Sequence, residues 1–215
     1  MITVTLHLPT MKTIALFIVL SSLQCCLGQT DTNLLAAGDW SETVHDATQY
    51  GWGSWHPALR GRLLVQNDTK ENRARVYLEL QHLYEGGWGV PLEVYYDIGR
   101  CEASHPALRD SLDRPIPSVG AGIAMATPMP YWVTLPCDST LRLRVDWGGL
   151  SPSPKPGSLE LHIGWSCWVI RPNATNEFFL SGSFTPSKDN PSPTQNHVWH
   201  GTLHLPKVRI PFKKP

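Results

Sequence analysis

Residues 73–81 alternate strictly between apolar and polar: Ala74, Val76, Leu78 and Leu80 fall on one side, Arg73, Arg75, Tyr77, Glu79 and Gln81 on the other. A period of two is that of an extended chain with one side buried, so the segment predicts a half-buried strand of an antiparallel sheet. The pattern returns in 141–147, with Leu141, Leu143, Val145 and Trp147 inward. It returns again in 159–163, where Leu159, Leu161 and Ile163 point inward and the alternation runs on through Trp165 and Cys167. Less regular strands are expected at 62–65, 92–98, 131–135, 178–184, 197–205 and 208–212.

Turn chemistry separates these runs. Asn67-Asp68, Glu85 to Gly89, Gly148 to Gly157 and the Ser/Pro/Asn-rich 185–196 read as turns or loops, and 101–130 as a long proline-rich connection. The 19 prolines suit turns and strand edges and would break helices. The expected fold is all-β: an antiparallel β-sandwich or jelly-roll-like domain of about nine strands, rich in loops.

The start of the chain follows a different pattern. Lys12 precedes an apolar run from Ile14 to Leu20, and small or mildly apolar residues lead to Gly28. This is the organisation of a secretory signal, with Met11 as the natural start and cleavage after Gly28. The run is too short to span a bilayer, and no later segment is long and apolar enough. The expected division is therefore 1–28 as signal peptide, 29–59 as an aromatic-rich segment packed on the domain, and 60–215 as one β domain. The expected location is extracellular.

Removing 28 of 215 residues leaves 187, with 17 basic and 18 acidic side chains. A net charge of −1 favours neither nucleic acid nor an anionic membrane as partner. Asn67-Asp68-Thr69 and Asn173-Ala174-Thr175 are sequons, so Asn67 and Asn173 are the expected glycosylation sites. Cys101, Cys137 and Cys167 remain after cleavage. In an oxidising compartment an odd count implies one bridge and one sulfur left over, which is buried or joins two chains into a covalent dimer. Cys101–Cys137 is the first choice and Cys137–Cys167 the rival. Closing a loop of roughly 36 residues would contribute about 4 kcal/mol on the loop-entropy account.

Nine tryptophans are the strongest chemical signal. Trp147 and Trp165, on inward faces, read as core. Trp52, Trp55 and Trp88 lie among glycines in loops, where a flat indole left uncrowded can stack on a sugar ring or anchor a protein partner. They are the expected ligand-binding residues. His197, His200 and His204 are spaced so that one strand cannot turn all three to one metal ion, and they read as ordinary surface histidines. No metal site and no cofactor are expected.

No nucleophile elbow occurs, and Cys167, between Trp165 and Trp168, suits a buried or bridged sulfur better than a thiolate. Glu79, Glu93, Asp97, Asp146 and Glu160 lie on strands and read as solvent-facing charges rather than a catalytic pair. No catalytic residue is expected. The chain reads first as a secreted non-enzymatic glycoprotein that binds an extracellular matrix component or an extracellular protein, a mineralised organic matrix being one setting. The alternatives are a carbohydrate-binding module with a Trp platform and a secreted hydrolase. The likeness to sugar-binding sandwiches is one of fold-level analogy only.

Overall fold

In a computed structural model, the structure describes residues 34–45, 57–68, 73–83, 91–96, 106–120, 131–163, 166–171, 177–186 and 197–211. Among them there is no helix. The strands are Leu34–Ala37 (β1), Val44–His45 (β2), Ala58–Asp68 (β3), Arg73–Leu83 (β4), Leu92–Tyr96 (β5), Ala107–Asp110 (β6), Tyr131–Leu135 (β7), Thr140–Arg144 (β8), Asp146–Pro152 (β9), Leu159–Ile163 (β10), Ser166–Ile170 (β11), Phe178–Phe184 (β12), His197–Val198 (β13) and Leu203–Ile210 (β14).

They form three sheets. The largest has eight strands: β1-β3-β4-β9-β10-β11 in order, with β2 also on β3 and β8 on β4. Two three-stranded sheets run β14-β12-β6 and β13-β5-β7. Every pairing is antiparallel except the short one between β13 and β5. The strand order of each sheet is an open path, not a closed ring.

The alternation in 73–81 corresponds to β4, which is in register with β3 from Ala58↔Leu83 to Asp68↔Arg73. Val76, Leu78 and Leu80 are buried, facing the same side as Leu59, Leu63 and Val65 of β3 and Leu143 of β8. These side chains join one contiguous apolar cluster that also takes Val94 and Leu135, Leu161 and Trp168, and Leu180, Leu205 and Val208, so all three sheets contribute to it. Gly61 of β3 lies against β14: a Cβ there would stand 3.1 Å from methyl carbons of Leu203 and of Leu205. Phe184 of β12 stacks on Trp199, with ring centroids 6.2 Å apart.

Several boundaries differ from those expected. Asn67-Asp68 is not a turn, because β3 runs through both residues, opposite Ala74 and Arg73. The run 141–147 is two strands: β8 ends at Arg144, and β9 carries on through the glycines and serine of 146–152. Residues 148–152 are therefore strand rather than loop, held by pairing with β10, a tertiary contact that outweighs their weak intrinsic preference. The connection 101–130 contains β6. The strand expected at 197–205 divides, His197–Val198 forming β13, and its end joins the strand expected at 208–212 in β14, whose register against β12 shifts between Leu180↔Val208 and Gly182↔Leu205. The shift falls at Pro206-Lys207. Proline donates no ladder hydrogen bond and is tolerated at a bulge on an edge strand, which β14 is. These splits and the short strands raise the number of strands above nine.

Candidate functional site

Trp52, Trp55 and Trp88 lie outside the described residues, between strands that are described. Val44 and His45 of β2 pair with Leu59 and Ala58, and Ala58 pairs with Leu83. The segment holding Trp52 and Trp55 runs from β2 to β3, and the segment holding Trp88 leaves β4 after Leu83. Both therefore begin at one end of the β3–β4 ladder. Asn67 sits near the other end, opposite Ala74, with its side chain half-buried. Asn173, Cys101, Trp165 and the side chain of Trp147 are outside the described residues.

Of the other sequence candidates, Cys137 and Cys167 are not bonded to each other, so the rival bridge is not formed, and no disulfide occurs among the described residues. Cys137 follows β7 in a turn, where burial raises the pKa of its thiol, helped by the charge of Asp138. The histidines of the C-terminal segment are spread over different elements. His197 is in β13, His200 is in the connection that follows, and His204 is exposed on β14 between buried Leu203 and Leu205.

Two polar clusters occupy the face of the eight-stranded sheet opposite the apolar cluster. One is centred on Glu79 of β4. Arg62 and Arg142 are its cross-strand partners on either side. Arg62 Nε donates to Oε2 at 2.6 Å, while Arg142 Nη2 and Nε donate to Oε1 at 2.8 and 3.1 Å. Glu79 is 3% exposed, which corrects the expectation of a solvent-facing charge. Three cross-strand positions in a row let the guanidiniums close over the carboxylate, and Trp40 covers the row further. The guanidinium carbons of Arg60 and Arg62 lie 4.8 and 4.3 Å from the centre of its ring. Stacked cation–π contacts of this kind hold a segment down and leave that ring face no room for a sugar.

The second cluster is built by a hairpin. Ile163 pairs with Ser166, so β10 and β11 are joined by two residues only, and His162 stands directly across from Cys167. Glu160 is two residues before His162 and shares its face. His162 Nε2 is 3.2 Å from Glu160 Oε2 and 3.5 Å from Cys167 Sγ. One ligand atom from each of Glu160, His162 and Cys167 lies within 4.8 Å of both others.

The surrounding chain holds these side chains in place. Ser153 Oγ donates to Glu160 Oε1 at 2.8 Å, in a turn closed by Ser153 N–H to Ser158 O and entered through Gly157 at φ 70°. Ser118 Oγ accepts from Cys167 N–H at 3.2 Å and donates to Cys167 O at 3.1 Å. Val119 N–H donates to the same carbonyl at 2.8 Å, and the Trp168 indole donates to Ile116 O at 3.0 Å. Residues 116–119 thus clamp β11 and cover Cys167, which is 5% exposed, while the His162 and Glu160 side chains remain 28% and 24% exposed. Burial raises the Cys167 thiol's pKa, and the Glu160 charge adds to this. Hydrogen bonds from Ser153 and then His162 lower the pKa of Glu160.

This arrangement is not a nucleophile relay. In such a relay the acid orients the imidazole through one ring nitrogen while the other faces the nucleophile. Here Glu160 and Cys167 approach the same nitrogen, and the thiol is stabilised in its protonated form. What three convergent donors of sulfur, nitrogen and oxygen can do is hold a cation.

The sequence reading missed this cluster because it ran one strand through 159–167. The signal was there: Gly164-Trp165 is a two-residue linker with glycine first, a preferred hairpin composition. No family model matches the chain, and neither a curated protein nor a solved structure matches it.

Proposed function

We propose that the chain is a secreted, non-enzymatic glycoprotein that binds an extracellular matrix component or an extracellular protein through the loops bearing Trp52, Trp55 and Trp88. One observation carries this reading: the two glycine- and tryptophan-rich segments begin at the same end of one long, fully registered β3–β4 ladder. Binding residues are commonly loops positioned by a rigid scaffold. Asn67 lies near the opposite end, so a glycan there would leave the aromatic end uncovered. The amino-terminal segment with its signal-peptide pattern supplies the route to the extracellular space.

The frame fits a β-sandwich. Contact between Gly61 of the eight-stranded sheet and Leu203 and Leu205 of the β14-β12-β6 sheet is what two stacked sheets require, since a glycine admits the facing side chains. The Cys101–Cys137 bridge belongs to the same proposal, with Cys167 as the buried sulfur.

Truncating loop tryptophans tests the function. Trp52→Ala, Trp55→Ala and Trp88→Ala should each weaken binding to matrix extract by about 2 kcal/mol while the melting temperature holds. If all three instead melt early, they are core residues and the proposed surface is wrong. A glycan array on the same material separates the second reading: a defined sugar hit lost with Trp88→Ala selects a carbohydrate-binding module, favoured by the flanking Gly87 and Gly89.

A further inference from the structure

We propose that Glu160, His162 and Cys167 form a binding site for a divalent transition-metal ion of the zinc type, separate from the aromatic loops. Three observations converge on it. The first is geometric. A tetrahedral zinc ion takes sulfur at about 2.3 Å and nitrogen or oxygen at about 2.0 Å, which sets a sulfur–nitrogen edge of ~3.5 Å and a nitrogen–oxygen edge of ~3.3 Å. Cys167 Sγ and His162 Nε2 are 3.5 Å apart, and His162 Nε2 and Glu160 Oε2 are 3.2 Å apart. Two edges of a coordination face thus stand at their spacing, and the third, between the Cys167 sulfur and the Glu160 carboxylate, lies within 4.8 Å and closes to ~3.5 Å by side-chain rotation on binding.

The second is donor chemistry. A thiol, an imidazole and a carboxylate together match a borderline ion, whereas magnesium and calcium take oxygen alone. Binding exchanges the thiol proton for the metal and selects the imidazole tautomer with its hydrogen on Nδ1: the thiol proton leaves to solvent, and the lone pairs of Cys167 Sγ and His162 Nε2 go to the ion.

The third is support around the ligands. Ser153 holds Glu160 Oε1 and leaves Oε2 toward the imidazole, and the Ser118 and Val119 bonds fix the backbone of Cys167. Outer-shell bonds of this kind orient ligands and raise affinity. Half-exposed His162 and Glu160 leave an approach from solvent, and a fourth position stays open to water.

Isothermal titration of the intact protein with Zn2+ alone, under a phosphine reductant, tests the site, with Co2+ as a spectroscopic substitute. One ion per chain is expected, with a thiolate-to-cobalt charge-transfer band. Cys167→Ser should abolish the band, and His162→Gln and Glu160→Gln should each weaken zinc binding at least tenfold. Cys137→Ser and His204→Gln, outside the cluster, should leave both readouts unchanged. Absence of zinc binding by the intact protein overturns the proposal, as does binding that survives His162→Gln and Glu160→Gln at full strength or is lost with His204→Gln. Because His162 and Glu160 are half-exposed, their variants remain decisive even where Cys167→Ser does not fold.

Discussion

Two polar clusters share one face of the eight-stranded sheet, and they solve the problem of burying polar atoms in opposite ways. Around Glu79 every charge has an opposite charge beside it, both carboxylate oxygens are taken, and Trp40 lies against Arg62. Around His162 a thiol, an imidazole and a carboxylate crowd one another, with the sulfur and the carboxylate both approaching one ring nitrogen. The first cluster is an ion-pair network in which both carboxylate oxygens are engaged by arginine. The second brings three potential metal-ligating atoms within 4.8 Å of one another. Strand position decides the difference: Arg62 and Arg142 face Glu79 from both neighbours, whereas the hairpin brings a histidine and a cysteine face to face at the sheet's edge.

Breaking the closed cluster should have the largest effect on stability. Glu79→Gln leaves two guanidiniums facing each other across a neutral amide. We expect a loss of about 3 kcal/mol in denaturant unfolding, the low end for removing one member of a buried pair, because Arg62 and Arg142 are 28% and 38% exposed. A loss below about 0.5 kcal/mol, as for an ordinary surface pair, would show that the network is not structural.

A third polar site on the same sheet sharpens the contrast by pH. His82 of β4 is 1% exposed, and its Nδ1–H donates to Leu135 O at 3.2 Å. Burial lowers its pKa from 6.5, against smaller opposing effects of the Leu135 and Pro136 carbonyls and of Asp138. A depressed folded-state pKa means that the contribution of neutral His82 to stability is complete above about pH 6.5 and is lost as pH falls through the folded value. His82→Gln should flatten that part of the stability–pH curve. An unchanged slope below pH 6.5 would assign the titration elsewhere.

The smallest expected effect is at Ser153. Ser153→Ala frees one oxygen of Glu160 without touching a proposed ligand. Zinc affinity should fall about tenfold, with stability changed by less than about 1 kcal/mol. Equal affinity would mean that Glu160 is oriented by the strand alone.

Local pattern sufficed for much of the frame. The alternation in 73–81 named the buried face of β4, because side-chain direction along one extended strand depends only on residue parity. Phe178–Phe184 and Tyr131–Leu135 were equally legible. Parity fails once the chain reverses. Leu159, Leu161, Ile163, Trp165 and Cys167 make an unbroken odd-numbered apolar series, and on a single strand Cys167 would share a face with Leu161. The two-residue turn instead aligns Cys167 with His162 and Trp168 with Leu161. Trp168 goes into the apolar cluster, and the sulfur goes to the polar face under residues 116–119. Glu79 shows the same limit: its outward direction was readable, but its burial depended on arginines 17 residues before it and 63 residues after it. Sequence by itself determined the strands of clear alternation, such as 73–81, and which side of each of those is apolar. Only the tertiary structure decided which strands lie side by side, and so which polar atoms meet, because cross-strand register is set by contacts distant along the chain.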